Sequence, residues 1–337
     1  MAAEARMRMN GMVGIVAAPR ARHARAGRLA SRDVLGARLT ERRRLLKSGL
    51  LAFSVAGCLP ISGCAWLVDK ESQLALRPTP GRPARLAPDD QLFKAGDQRW
   101  LVPVTAADGA LQQLALWWLP HADAGAPALL YLHGTFRNLY QNLPKIDALR
   151  ALGFAVLAVD YRGWGDSTAI VPDEASITAD AAIAWAELQR RQPVAALRVV
   201  YGHSMGGAVA LRLAAGLQMG DIGALVLEST FTRMPDVAAS AGWFGRVVSW
   251  FTSLEFDSLA RIGSVKAPLL MLHGTADTTV PVQLGRRLRD AAPAGVRWVE
   301  LPGGTHSRLH SDAPGPYAEA FKTLMLQLQT RAAGSTG

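Results

Sequence analysis

Short apolar runs recur over residues 100–105, 111–119, 128–132, 154–159, 197–201, 224–227, 269–272 and 296–301. Segments with helical spacing lie between most of them. Runs this short and this continuous read as strands buried on both faces, the habit of a mostly parallel sheet covered by helices. The first pair differs. Asp108-Gly109 separates residues 100–105 from 111–119 and is a hairpin signal, and Leu114, Leu116 and Trp118 recur with the period of two that puts them on one face of a strand. The pattern predicts an α/β fold: an eight-stranded, mostly parallel sheet that opens with an antiparallel hairpin and carries helices on both faces.

The front of the chain has another character. Residues 1–47 hold eleven arginines and Lys47 against Glu4, Asp33 and Glu41, so nine of the ten net positive charges lie there and the body is nearly neutral. A chain with a pI near 10.2 invites a nucleic-acid reading. The basic residues are confined to this leader, without interleaved aromatics or a binding motif, and that class is set aside. The leader ends in Glu41-Arg42-Arg43-Arg44-Leu45-Leu46-Lys47, and residues 48–68 are uncharged. A basic stretch followed by an apolar one is the layout of an export signal.

Arg42-Arg43 followed by Leu45-Leu46-Lys47 resembles the twin-arginine export pattern. Val55-Ala56-Gly57-Cys58 and Ile61-Ser62-Gly63-Cys64 each resemble a bacterial lipoprotein signal, in which the cysteine takes the lipid. These are the chain's two cysteines, so cleavage before Cys64 leaves no spare thiol in an oxidising compartment, whereas cleavage before Cys58 strands one. Cys64 is the expected lipidation site and Cys58 its alternative. An uncleaved signal anchor stays open, since residues 48–68 match the roughly 20 that span a bilayer. The expected place is the bacterial cell envelope, membrane-anchored and facing the periplasm. The predicted organisation is a leader and signal over 1–64, a proline-rich tether without helical or strand periodicity over 65–99, and one domain over 100–337.

The chemistry of the domain centres on Gly202-His203-Ser204-Met205-Gly206-Gly207. LRVVYG before it reads as a buried strand and residues 208–215 as a helix. In a strand–turn–helix setting, G-x-S-x-G is a nucleophile elbow, a strained turn that lifts the serine hydroxyl clear of the backbone. Glycines at 202 and 206 lack the Cβ atoms that would collide as the chain doubles back. Two further loops follow strands: Asp277 lies in HGTADTTVP after the seventh and His306 in GGTH after the eighth.

Nucleophile, acid and histidine in that chain order, on those strands, resemble the α/β-hydrolase family over residues 100–328. The FDSL, VKAPLLMLHGTAD, VP and GGTH run is most similar to the membrane-associated α/β-hydrolase-domain proteins, which include acyl-protein thioesterases and monoacylglycerol lipases, and to the serine aminopeptidase branch. The resemblance implies Ser204 as nucleophile, His306 as base and Asp277 as the group orienting it, with Glu228 at the end of the sixth strand a substitute acid. It implies an oxyanion hole from the N–H groups of Met205 and Thr135, with Phe136 the next candidate. His133, His203 and His273 look structural, and His310 is the rival base. DYRGWGDS at 160–167 resembles a family loop and reads as architectural.

Residues 229–265 are too long for a plain crossover and sit where the family carries a cap. Phe231, Trp243, Phe244, Trp250, Phe251 and Phe256 either line an acyl pocket there or pack into the core. No HExxH or CxxC spacing occurs and the histidines are scattered, so neither metal nor cofactor is expected. The expected activity is serine hydrolysis of carboxylic esters or thioesters. A peptidase and a non-catalytic envelope scaffold are the alternatives. The expected partners are a small ester or thioester substrate and, through the N-terminus, the membrane.

Overall fold

The computed structural model describes residues 61–243, 247, 249 and 252–334. The eight expected strands are present: β1 Gln98–Thr105, β2 Leu111–Leu119, β3 Ala128–Leu132, β4 Ala155–Asp160, β5 Arg198–His203, β6 Ala224–Glu228, β7 Leu269–Gly274 and β8 Arg297–Leu301. They form one sheet in the order β1-β2-β4-β3-β5-β6-β7-β8. β2 runs antiparallel to both β1 and β4, and every other neighbouring pair is parallel.

Alternation within the strands supplies two cores. In β4, Ala155, Leu157 and Val159 face one side, while Val156 and Ala158 face the other. The first side is covered by helices Glu174–Arg191, Met205–Ala215 and Val282–Asp290, through Ile177, Ala184, Leu188, Val209, Leu211 and Leu288. The second is covered by Leu139–Ala151 and Pro314–Gly334, through Leu143, Ile146, Leu149, Phe321, Leu324 and Leu328. Leu114 and Leu116 are buried on the first side with Trp118 packed against them. Trp117 and Leu119 are buried on the second.

The stretch read as a tether is part of this body. Counting helices in chain order among the described residues, α1 spans Ile61–Leu76 and α2 spans Asp89–Leu92. Ser72 and Leu76 are buried, Leu76 in the first core, and the Glu71 carboxylate accepts from the N–H (2.8 Å) and hydroxyl (2.6 Å) of Ser253. Beyond α1 the chain lies along the body as a strap. Gly81 N–H donates to Gly165 O (2.7 Å), Gly165 N–H donates to Thr79 O (2.9 Å), and the Asn138 side-chain amide donates to Thr79 O and Gly81 O. Such a strap is held by backbone hydrogen bonds at isolated points and not by one apolar face, so it leaves no periodicity to read. No helix among the described residues is long and apolar enough to cross a membrane.

The remaining helices are α3 Leu139–Ala151, α4 Glu174–Arg191, α5 Met205–Ala215, α6 Met234–Ser240, α7 Leu259–Ile262, α8 Val282–Asp290, α9 Leu309–Asp312 and α10 Pro314–Gly334. Helices α6 and α7 fall within the expected cap. Phe231 and Phe256 are buried in the first core, which is the packing alternative for those two, whereas Trp243 is exposed. Phe244, Trp250 and Phe251 lie outside the described residues. The 160–167 loop is architectural. Ser167 Oγ donates to Asp160 O (2.6 Å) and accepts from Ala115 N–H (2.8 Å), and Arg162 pairs with Asp180 at 2.8 Å.

Candidate active site

Ser204 sits between β5 and α5 with φ 56° and ψ −121°. A non-glycine residue held there costs about 1–3 kcal/mol and persists only where its surroundings enforce it. The enforcement is visible. Ser204 N–H donates to Glu228 O (2.9 Å) across the β5–β6 register, and Ser204 O accepts from Gly207 N–H (2.9 Å) and Thr230 Oγ1 (2.9 Å). A Cβ on Gly202 would lie 2.2 Å from Gly206 O, and one on Gly206 would lie 2.1 Å from Leu132 O. Both obstacles are backbone and cannot swing away. Gly202→Ala is therefore expected to destabilise the fold by about 3 kcal/mol or more through overpacking, read as a lowered midpoint of chemical denaturation. A change within a few tenths of a kcal/mol would mean that the elbow has slack.

The loop after β7 brings in Asp277, and the loop after β8 brings in His306. They are tied together by Ala276 N–H donating to Gly304 O (3.0 Å) and Thr275 N–H donating to Leu301 O (3.0 Å). His306 Nδ1 lies 2.7 Å from Asp277 Oδ2, and His306 Nε2 lies 3.0 Å from Ser204 Oγ. A carboxylate accepts, so the neutral ring carries its proton on Nδ1 and presents the Nε2 lone pair to the serine hydroxyl. The other oxygen, Asp277 Oδ1, accepts from Thr279 N–H (2.9 Å) and Val280 N–H (2.8 Å). Burial alone raises the Asp277 carboxyl. Hydrogen bonds from His273, His306 and Val280, with the His306 charge, outweigh it and hold the group well below the ordinary carboxylate range.

Glu228 has a different place. Its side chain is fully buried on the second core and is paired with Lys145 of α3, the Tyr201 hydroxyl and, at 3.1 Å, the Tyr317 hydroxyl. It is not among the hydrogen-bond partners of His306. Burial pushes the Lys145 ammonium down and the Glu228 charge pushes back, leaving it below its ordinary value. His310 does not reach the serine either; its ring stands 6.4 Å from that of Tyr317.

The other histidines serve the framework. His203 Nε2 lies 2.9 Å from His306 O. A carbonyl only accepts, so Nε2 bears the proton and His203 fastens the backbone of the neighbouring loop. Burial, then the Lys145 charge, lower His203 well below its ordinary value and keep it neutral. His273 Nε2 holds Val280 O (2.9 Å), and buried His133 holds Gly134 O (2.6 Å), with its value lowered by burial to about 4.

Ser204 opens into a cleft of about 220 Å3. Gly134, Thr135, Phe136 and Arg137 form one wall, with Asn142, Thr279, His306 and Ser307 around the rest. Met205 is the first residue of α5, where an N–H has no carbonyl of its own helix to meet. Thr135 belongs to the 134–137 wall of the same cleft. No described residue of 229–265 lines the cleft. Arg137, Asn142 and Ser307 were not singled out from sequence, because they occupy a loop, a helix and a turn without any motif to mark them.

A parallel sheet with a serine on the sharp turn from its central strand to a helix, and a histidine and carboxylate on the next strands' loops, defines a hydrolase of the α/β class. The family described as serine aminopeptidase, S33, matches residues 126–260. The chain is 35% identical over 209 residues to an uncharacterized protein of Mycobacterium tuberculosis, covering 61% of this chain and 72% of that one. It is 30% identical over 237 residues to the Escherichia coli K12 protein YfhR, covering 68% and 81%. It is 33% identical over 196 residues to the lysophosphatidylserine lipase ABHD12 of Danio rerio, covering 53% and 50%, so it spans about half of that relative's length. An esterase of Pyrococcus furiosus shares the fold at TM-score 0.58 and 21% identity, covering 74% and 97%. The chain belongs to the α/β-hydrolase family, and it is a hydrolase.

Proposed function

We propose that the chain cleaves carboxylic esters or thioesters through an acyl-enzyme on Ser204. The observation that carries this is the continuous relay from Asp277 Oδ2 through His306 to Ser204 Oγ, at 2.7 and 3.0 Å, ending in an open cleft. His306 Nε2 takes the hydroxyl proton as Oγ bonds to the substrate carbonyl carbon. Asp277 holds the ring in the useful tautomer and stabilises the imidazolium without taking the proton. The backbone N–H groups of Met205 and Thr135 are assigned to the oxyanion, each worth roughly a hundred- to a thousandfold in rate. His306 returns the proton to the departing alcohol or thiol, and water repeats the sequence on the acyl-enzyme.

The similarity to a lysophosphatidylserine lipase and, in fold, to an esterase supports esters. The family description favours peptides instead. An aminopeptidase must hold its substrate's free ammonium, which calls for a carboxylate in the pocket, and none of the described residues lining this cleft is acidic. Ester chemistry is the better fit. The test is labelling with a fluorophosphonate, which bonds to an activated serine. Wild type should label and Ser204→Ala should not, after which matched ester, thioester and amide substrates rank the chemistry. Equal labelling of both proteins, or of neither, overturns the proposal.

We further propose that the N-terminal segment exports the protein to a bacterial envelope and anchors it there through Cys64. Cys58 and the twin arginines lie outside the described residues, and Cys64 falls within α1. Metabolic labelling with an alkyne fatty acid in a bacterial host should mark the protein and be lost in Cys64→Ala. Loss in Cys58→Ala instead would move the anchor, and no labelling at all would leave the uncleaved signal.

A further inference from the structure

The cleft beside Ser204 holds a cation that the relay does not use. Arg137 is exposed and lines the cleft. Among the described residues its guanidinium has no carboxylate within ion-pair distance, no hydrogen-bond partner and no aromatic ring beneath it. Other arginines of the body are engaged: Arg82 and Arg99 with Asp89, Arg150 with Asp97, Arg162 with Asp180, Arg286 with Glu300.

The backbone that carries Arg137 is fixed while its side chain is left over. Asn142 Nδ2 donates to Asn138 O (2.8 Å) and, at 3.4 Å, to Arg137 O, and Asn142 Oδ1 accepts from the Tyr131 hydroxyl (3.1 Å). Asn138 is itself clamped to the strap at Thr79 and Gly81. A second cation stands at the same mouth. The Arg77 guanidinium lies 4.8 Å from the centre of the Phe136 ring, which forms part of the wall. The charge of Arg137 reaches inward, for it disfavours the protonated forms of His203 and Lys145 beneath the cleft. With no acidic residue among the described lining and the Asp277 charge committed to His306, Arg137 is the unpaired charge that the wall presents to a ligand.

We infer that Arg137 selects substrates bearing an anionic group, a carboxylate or a phosphate, a few bonds from the scissile carbonyl. A planar guanidinium offers such a group two parallel hydrogen bonds, which are charge-assisted and stronger than neutral ones. An unpaired arginine at the cleft wall is ready to make them without first breaking an ion pair. The inference rests on the ester chemistry proposed at Ser204.

The test uses two matched pairs of short, soluble esters. Glycerol 3-phosphate monobutyrate against monobutyrin places the anion on the alcohol side. Mono-4-nitrophenyl succinate against 4-nitrophenyl butanoate places it on the acyl side. The readout is the anionic-to-neutral ratio of kcat/KM within each pair, which divides out a general loss of fold or nucleophile. In wild type one ratio should exceed one and fall as salt is raised. In Arg137→Gln that ratio should drop about ten- to a hundredfold, the size of a lost charged hydrogen-bond pair, and Arg137→Lys should recover part of it. The pair that responds tells on which side of the ester the anion sits. Ratios unchanged by Arg137→Gln in both pairs overturn the inference. If no ester of either pair is hydrolysed while fluorophosphonate labels Ser204, ester specificity fails as well; if labelling is absent, the nucleophile assignment itself is wrong.

Discussion

Ser204→Ala is expected to lower kcat/KM for a short ester by about 10^4- to 10^6-fold while the protein stays folded. The residue removed is one oxygen atom. Alanine keeps the Cβ and the positive φ, and the backbone bonds to Glu228, Gly207 and Thr230 do not involve the hydroxyl, so the elbow has no reason to relax. Stability should therefore be unchanged. Ser204→Gly should be equally inactive but more stable, because glycine releases a strain of about 1–3 kcal/mol. Steady-state hydrolysis and thermal unfolding of the two variants give both quantities. A Ser204→Ala protein retaining a tenth of the activity would mean that another group performs the attack.

Asp277→Asn should reduce kcat by about 10^4-fold, whereas Glu228→Gln should leave turnover per folded molecule little changed. Asparagine offers an amide that can turn its N–H toward Nδ1, so the ring then presents its lone pair to the wrong side and can no longer take the serine proton. Glu228→Gln acts elsewhere. It leaves the Lys145 ammonium buried without its counter-charge, and the cost of breaking such a pair is about 3–5 kcal/mol. One substitution should appear in rate and the other in stability. The reverse pattern would make Glu228 the working acid. Asp277, held well below the ordinary carboxylate range, stays charged throughout the neutral and mildly acid range and should add no step of its own to the pH dependence of kcat there.

The sheet and the relay were legible for the same reason. A strand buried on both faces must be apolar along nearly its whole length, so β3 to β7 stood out as continuous runs. The mostly exposed β1 and half-buried β8 at the sheet's edges showed only shorter apolar stretches. The three relay residues lie in the loops that follow β5, β7 and β8. The hairpin pattern also put Leu114 and Leu116 on the correct side. The Lys145–Glu228 pair was not legible, since its members are 83 residues apart and a buried charge looks like any surface charge in a sequence. Arg137 was hidden likewise: an arginine's partners are decided by what folds against it. The proline-rich stretch was not read as part of the body because its anchors at Thr79 and Gly81 are carbonyls and N–H groups, which every residue has, and its packed side chains, such as Leu76 and Phe93, stand apart without a period. In the cap, Phe231 and Phe256 could not be told from Trp243, because aromatic content alone does not say which way a side chain turns.

The strap over Thr79–Gly81 bears on how the catalytic unit can be cut out of the chain. A boundary at residue 99, where the first long strand begins, would delete the segment that Asn138 grips, and Asn138 caps the helix that follows the 134–137 wall of the cleft. The same cut would remove Leu76 from the core and the Glu71 carboxylate from Ser253. The shortest independent hydrolase unit therefore begins within α1, ahead of Glu71.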